Sequence, residues 1–374
     1  PAIALPTAHF NTVLYTGDAS NPKTVSGVGF SADMVWLKSR GISQRHNIYD
    51  TVRGIPKSGS TDVPRISPDD ATAESDTTDE LRTVTSDGFT VDTSRNGSGN
   101  TYVAWNWKGS DTPTKTFAVT VTNPGSGNRY TLDGKVSGTN AMPITIEEGG
   151  TYTFDQSDNT NSGHPLRFST TSNGTWGGGS EYTTGVTTNG TPGNAGAYTR
   201  ITVAASAPTL YYYCTNHSGM GAAITTPGSG GGVSDLSGTI ASVVNANTTA
   251  GFSIATYTGN GTSPSTIGHG LSVAPEMVMV KNKTTNAENW VVSVGNITGT
   301  NGDFLILNTT SAVIAGTSQF PSQPGSSTFA VTDAANVNTN TSNYIAFCFH
   351  SVEGYSQVGK YTGNASADGA FIYT

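Results

Sequence analysis

Cys214, His217 and Met220 stand in the decapeptide YYYCTNHSGM, each three residues from the next. A thiolate, an imidazole and a thioether are the donors that a soft metal ion prefers to hard oxygen ligands. The chain has 2 cysteines and 6 histidines in 374 residues, so abundance does not explain their proximity. A fourth candidate, His164 in NSGHPLRFST, lies upstream at the start of an expected strand. The bland alternative is a buried thiol with a strand-capping histidine nearby. These residues alone leave both readings open.

Two imidazoles and a thiolate in one plane, with a long thioether contact, form the donor set of a blue-copper centre. Other candidate chemistry is weaker. Cys348 and His350 in FCFH align, in the repeat described below, with Asn106 and Lys108, so the repeat requires neither. Cys348 then reads as a small core residue. His269 aligns with Val28, and His9 and His46 have no obvious partner, which makes the surface their expected place. The acidic stretch SPDDATAESDTTDELR (67–82) lacks the spacing of a calcium loop and reads as a solvated loop. Trp176 in NGTWGGGSEY reads as ordinary packing. Nucleophile-elbow, paired-carboxylate and HExxH motifs are missing from the sequence, so the expectation is a protein that is not an enzyme.

Composition narrows the classes further. Charged residues make up 12% of the chain, about half the usual share, and the formal net charge is −8. Nucleic-acid binding needs clustered Lys and Arg to meet phosphates, and that is not expected here. No apolar run approaches the roughly 20 residues that span a bilayer, so membrane insertion is not expected either. Two cysteines so far apart do not make a disulfide framework. Glycine is frequent but aperiodic, and Val, Ile, Thr and aromatics are plentiful between Gly/Asn turns. That pattern predicts an all-β protein.

An internal repeat sets the domain plan. Tyr-Thr-Gly recurs at 15–17, 257–259 and 361–363, followed in the first two copies by DMVWLK and EMVMVK. Each of these copies closes with a matching strand, YVAWNWK or YIAFCFH. The expected architecture is tandem β-sandwich modules with an inserted β-sandwich. The modules are 1–112 and 239–353, the insert is 113–228, and 229–238 is a Gly-rich linker. Residues 354–374 open a third copy or form a swapped strand pair, and a longer gene product is the favoured reading.

The insert resembles a cupredoxin, through the Cys-x2-His-x2-Met spacing of CTNHSGM with an upstream histidine. That resemblance implies a cupredoxin-like β-sandwich with His164, Cys214, His217 and Met220 as ligands of a type 1 copper site. The repeats, through HFNTVLYTGDAS, GVGFSADMVWLKSR, SDGFTVD and YVAWNWKG, resemble modules of virion structural proteins of marine tailed phages, including those of cyanobacteria. That resemblance implies a tail fibre or a capsid- or tail-attached appendage located in the virion. Its partners would be other virion proteins, further copies of itself (a trimer in most fibres) and a host-surface glycan or protein. The alternative is an extracellular copper protein for electron transfer or storage, with the repeats as adhesive spacers.

Overall fold

The structure is a computed structural model that describes residues 3–55, 63–110 and 112–366. The protein is all-β, and the α-helices among the described residues, Gly295–Thr298 and Ala335–Asn338, are single turns. Among the described residues, no helix is long and apolar enough to cross a membrane. The chain divides into two compact units: Pro1–Ser110 with Ser237–Thr374, and Asp111–Leu236.

In the first unit the two repeats build matching sheets. Strand Phe10–Thr16 pairs antiparallel with Thr101–Trp107, which pairs with Met34–Ser39, and Asn47–Asp50 closes the order. The second repeat follows the same order with Phe252–Thr258, Asn343–Phe349, Met277–Asn282 and Val291–Ser293. Strand Phe304–Ile306 extends it at one end. At the other end, Ser242–Asn247 forms a hairpin with Phe252–Thr258.

Side-chain alternation explains DMVWLK and EMVMVK. Val35 and Leu37 face one core with Val25, Phe89 and Val91, and Val278 and Val280 face the corresponding core of the second repeat. Met34, Trp36 and Met279 point the other way, into a third cluster containing Ile48, Phe252, Trp290 and Phe347. Both sheets are therefore buried on two faces: one face covers the core of its own repeat, and the other packs the two repeats together through the third cluster.

The acidic stretch, expected as a solvated loop, is a clamp between the repeats. The Trp290 indole donates to the Ser67 carbonyl (2.8 Å), the buried Lys281 amine to the Ala71 carbonyl (3.1 Å) and the Glu74 N–H to the Lys283 carbonyl (3.1 Å). Glu74 also pairs with Arg53, whose fully buried side chain binds Asp50 at 2.5 Å. Glu80 is buried and pairs with Arg95 (2.9 Å) and Arg65 (2.6 Å). Each carboxylate named here has a fixed cation, which offsets the cost of its burial, while Asp69, Asp76 and Asp79 of the same stretch are exposed.

The Tyr-Thr-Gly landmark has one geometry in both repeats. Tyr15 stacks on Tyr102 at 4.9 Å, and Tyr257 on Tyr344 at 5.1 Å. Buried Asn96 and Asn338 accept the N–H of Asp18 (2.9 Å) and Asn260 (2.8 Å). A Cβ on Gly17 would sit 2.1 Å from the Gly97 carbonyl oxygen, and one on Gly259 2.2 Å from that of Thr339. No residue but glycine fits there.

The second unit is a β-sandwich. One sheet runs Arg129–Leu132, Thr114–Thr122, Thr151–Asp155, Tyr198–Thr202 and Val186–Asn189; the other runs Ile144–Thr145, Ala223–Thr225, Leu210–Cys214 and Leu166–Ser169. Phe117, Phe154, Phe168 and Tyr212 fill the space between them. Part of the expected linker belongs to this unit. The Gly232 N–H donates to the Glu147 carboxylate (2.7 Å), and the Ser234 hydroxyl accepts the Thr145 N–H (2.8 Å). Of the expected third copy, 354–366 contains no strand, and 367–374 lies outside the described residues.

Candidate metal centre

The four predicted donors lie in the second unit, on or beside the antiparallel pair of Leu166–Ser169 and Leu210–Cys214. Leu166 faces Cys214 in that register. Two residues earlier, His164 is therefore carried alongside the loop that leaves Cys214. The Thr215 N–H donates to the Pro165 carbonyl (3.1 Å) and the Asn216 amide to the Gly163 carbonyl (3.0 Å), which ties the two loops together.

Cys214 Sγ lies 3.9 Å from Nδ1 of His164 and 3.6 Å from Nδ1 of His217. All three donor atoms lie within 4.8 Å of one another. An ion bound at about 2.0–2.3 Å from each donor, at trigonal or tetrahedral angles, needs sulfur and nitrogen roughly 3.5–3.9 Å apart. The two sulfur–nitrogen separations lie in that range. Cys214 and Met220 are buried, His164 is half-buried, and His217 is exposed, so the sulfur end faces the protein and one imidazole faces solvent.

Burial, and then the neighbouring His217 ring, hold His164 below the usual imidazole pKa, which favours the neutral form that ligates metal. Burial, and then the adjacent Cys214 side chain, push the Tyr130 phenol well above its usual value. Tyr130 therefore stays a donor, and its hydroxyl bonds the His164 carbonyl at 2.7 Å. The Gln156 amide donates to the same carbonyl (2.8 Å), and its oxygen accepts the Leu166 N–H (3.1 Å). The buried Asn161 accepts the His164 N–H through its carbonyl (2.8 Å). These bonds fix the backbone that carries His164.

The ligand loop is braced from its other side by Asn173, which the sequence did not mark, and by Trp176. Asn173, at a left-handed φ of 60°, accepts the Gly219 N–H (2.7 Å) and donates to the Ser218 hydroxyl (2.9 Å). The Trp176 indole donates to the Cys214 carbonyl at 3.1 Å. Trp176 is 52% exposed, so it is a surface contact beside the site and not ordinary packing. The available signal was NGTWGGG, whose glycines and asparagine permit the positive φ of such a turn.

Histidines assigned to the surface have partners. Trp36 donates to Nδ1 of His46 (3.0 Å), the Asn247 amide contacts Nδ1 of His9 (3.0 Å), and buried His269 is bonded through both ring nitrogens. Cys348 is a core thiol, and burial pushes its pKa up to about 12.

Fold and site together define an all-β protein of duplicated sheets with a sandwich bearing a His-Cys-His donor cluster. Residues 5–131 and 216–374 match a family described as a domain of unknown function, DUF7483, and the chain belongs to that family. The unmatched stretch between them lies inside the sandwich and contains His164 and Cys214. No curated protein matches the chain.

Proposed function

We propose that this is a non-enzymatic structural protein of a tailed-phage particle, a fibre or an attached appendage, whose cupredoxin-like insert holds copper. The observation that carries the copper reading is the cluster of Cys214 Sγ with two imidazole Nδ1 atoms at 3.6 and 3.9 Å. Met220, buried at the end of the same loop, would add a thioether, a soft donor that favours copper over zinc. Bound copper supplies an intensely coloured thiolate charge-transfer centre. His164, Cys214 and His217 would hold it, with Tyr130, Gln156 and Asn161 fixing the His164 backbone.

The particle reading is supported by the likeness of the repeats to virion modules, and by a duplicated, doubly buried sheet pair suited to mechanical duty. Such a protein would contact other virion proteins, further copies of itself and polar groups of a host surface. The second reading, an extracellular copper carrier or store with adhesive spacers, draws on the solvent-facing His217.

Copper titration of the full chain tests the site. The expected result is an intense blue colour that Cys214→Ser abolishes. Saturating copper at about 100 times its dissociation constant should add about 2.7 kcal/mol of stability, lost in His164→Ala and His217→Ala. A colourless protein whose melting is indifferent to copper overturns the copper reading. Antibody labelling of purified particles tests location: signal on a tail or capsid appendage is expected, and a chain found only in the cell-free soluble fraction favours the carrier.

A further inference from the structure

The two repeats differ at one sheet edge. In the second repeat, Phe252–Thr258 is flanked on its outer side by Ser242–Asn247, with Asn245 opposite Ile254 and Val243 opposite Thr256. The equivalent strand of the first repeat, Phe10–Thr16, ends its sheet, and among the described residues no strand lies beside its outer edge. Tyr15 and Tyr257 occupy the same place in their ladders, opposite Tyr102 and Tyr344, so Leu14 corresponds to Thr256. Leu14 is 61% exposed.

The Lys108 N–H donates to the His9 carbonyl and the Gly17 N–H to the Asn100 carbonyl. Ladder bonds therefore fall at odd positions, and residues 10, 12, 14 and 16 aim their backbone groups outward. Asn11 Oδ1 takes the Thr12 N–H at 2.9 Å, but Leu14 and Thr16 have no such cover among the described residues. FNTVLYT contains no charge and no proline, the usual devices that keep an edge from pairing.

We infer that the outer edge of Phe10–Thr16 is a strand-pairing surface whose occupant is the same strand of a second copy of this chain. The second repeat supplies the template, since an antiparallel strand lies on the corresponding edge. The second repeat of another copy cannot serve, because its edge is already taken by Ser242–Asn247. Antiparallel self-pairing is two-fold symmetric and makes one sheet of eight strands across the pair. Outward groups at even positions put Leu14 opposite Leu14 or Thr12 of the second copy, on one face in either register. Each exposed leucine then covers its counterpart, and neither strand brings a charge. Two-fold pairing builds even-numbered assemblies, in contrast to the trimer expected of a fibre.

The test is sedimentation velocity of the full chain over a range of concentrations. The wild type should form a dimer. Leu14→Lys, which places like charges together, should weaken association at least ~100-fold. Leu14→Pro should do the same, because it removes an outward N–H and leaves the inner ladder intact. Thr258→Lys, at the corresponding exposed end of the covered strand, should leave association unchanged. A wild type that stays monomeric overturns the inference, as does a dimer indifferent to both Leu14 substitutions or equally weakened by Thr258→Lys. Far-UV circular dichroism confirms that each variant is folded; if Leu14→Pro is not, Leu14→Lys decides.

Discussion

Lys38 and Lys281 close the same strand in the two repeats, opposite Val103 and Ile345. Lys38 is half-buried and donates to the Gln44 carbonyl in its own repeat. Lys281 is fully buried and donates to the carbonyls of Ala71 (3.1 Å) and Glu288 (2.6 Å), the first of them in the other repeat. The Tyr-Thr-Gly turns, by contrast, agree to within a few tenths of an ångström in their main bonds and stacks. Local geometry is thus copied faithfully, and burial follows from what each copy packs against. The first repeat reaches across through its 67–74 segment; the second accepts that segment and has no equivalent of its own.

Four substitutions probe this asymmetry. The largest effect is expected at Arg53, which joins Asp50 to Glu74 and has no counterpart in the second repeat. Arg53→Met leaves a buried carboxylate without its cation and should cost about 3–5 kcal/mol in denaturant unfolding. A loss under 1 kcal/mol would show that the clamp does not depend on this pair. Asn96→Ala and Asn338→Ala should each cost about 1–3 kcal/mol, in similar amounts, since both release matching backbone groups, the N–H of Asp18 or Asn260 and the carbonyl of Ser20 or Thr262. Unequal losses would break the equivalence of the two turns.

The smallest effect concerns Lys281, whose pKa burial lowers from 10.5 to about 8. Between those values the unfolded chain binds more protons than the folded one, so stability rises with pH across that window. Below pH 8 both states carry the proton, and the full cost of the buried charge is present. The advantage of Lys281→Met over the wild type should therefore shrink as pH climbs from 8 towards 10. A constant difference between the two melting curves would refute the assignment.

The repeat, its closing strands and the proximity of His164, Cys214 and His217 were legible because they rest on local signals: alternation, glycine at a tight turn, and close spacing along one loop. The acidic stretch was misread because its partners, Arg53, Arg95 and Lys283, are remote or unremarkable in sequence. Asn173 escaped notice, and Trp176 was read as packing, for the same reason: their partners are in the ligand loop some 40 residues on. Two-sided burial of DMVWLK was half visible, since strict alternation of apolar and polar residues fails there. Only coordinates could show that the second face is filled by the other repeat.

The shared cluster of Met34, Trp36, Ile48, Phe252, Trp290 and Phe347 has a consequence for biosynthesis. Tyr15 and Tyr257 are 242 residues apart, so at 5–20 residues per second roughly 10–50 s pass between the emergence of the two halves. Throughout that interval the nascent first sheet holds a sticky aromatic surface with nothing to dock on it. Chaperone demand should peak while the intervening sandwich is being translated, and fall once Trp290 and Phe347 leave the ribosome.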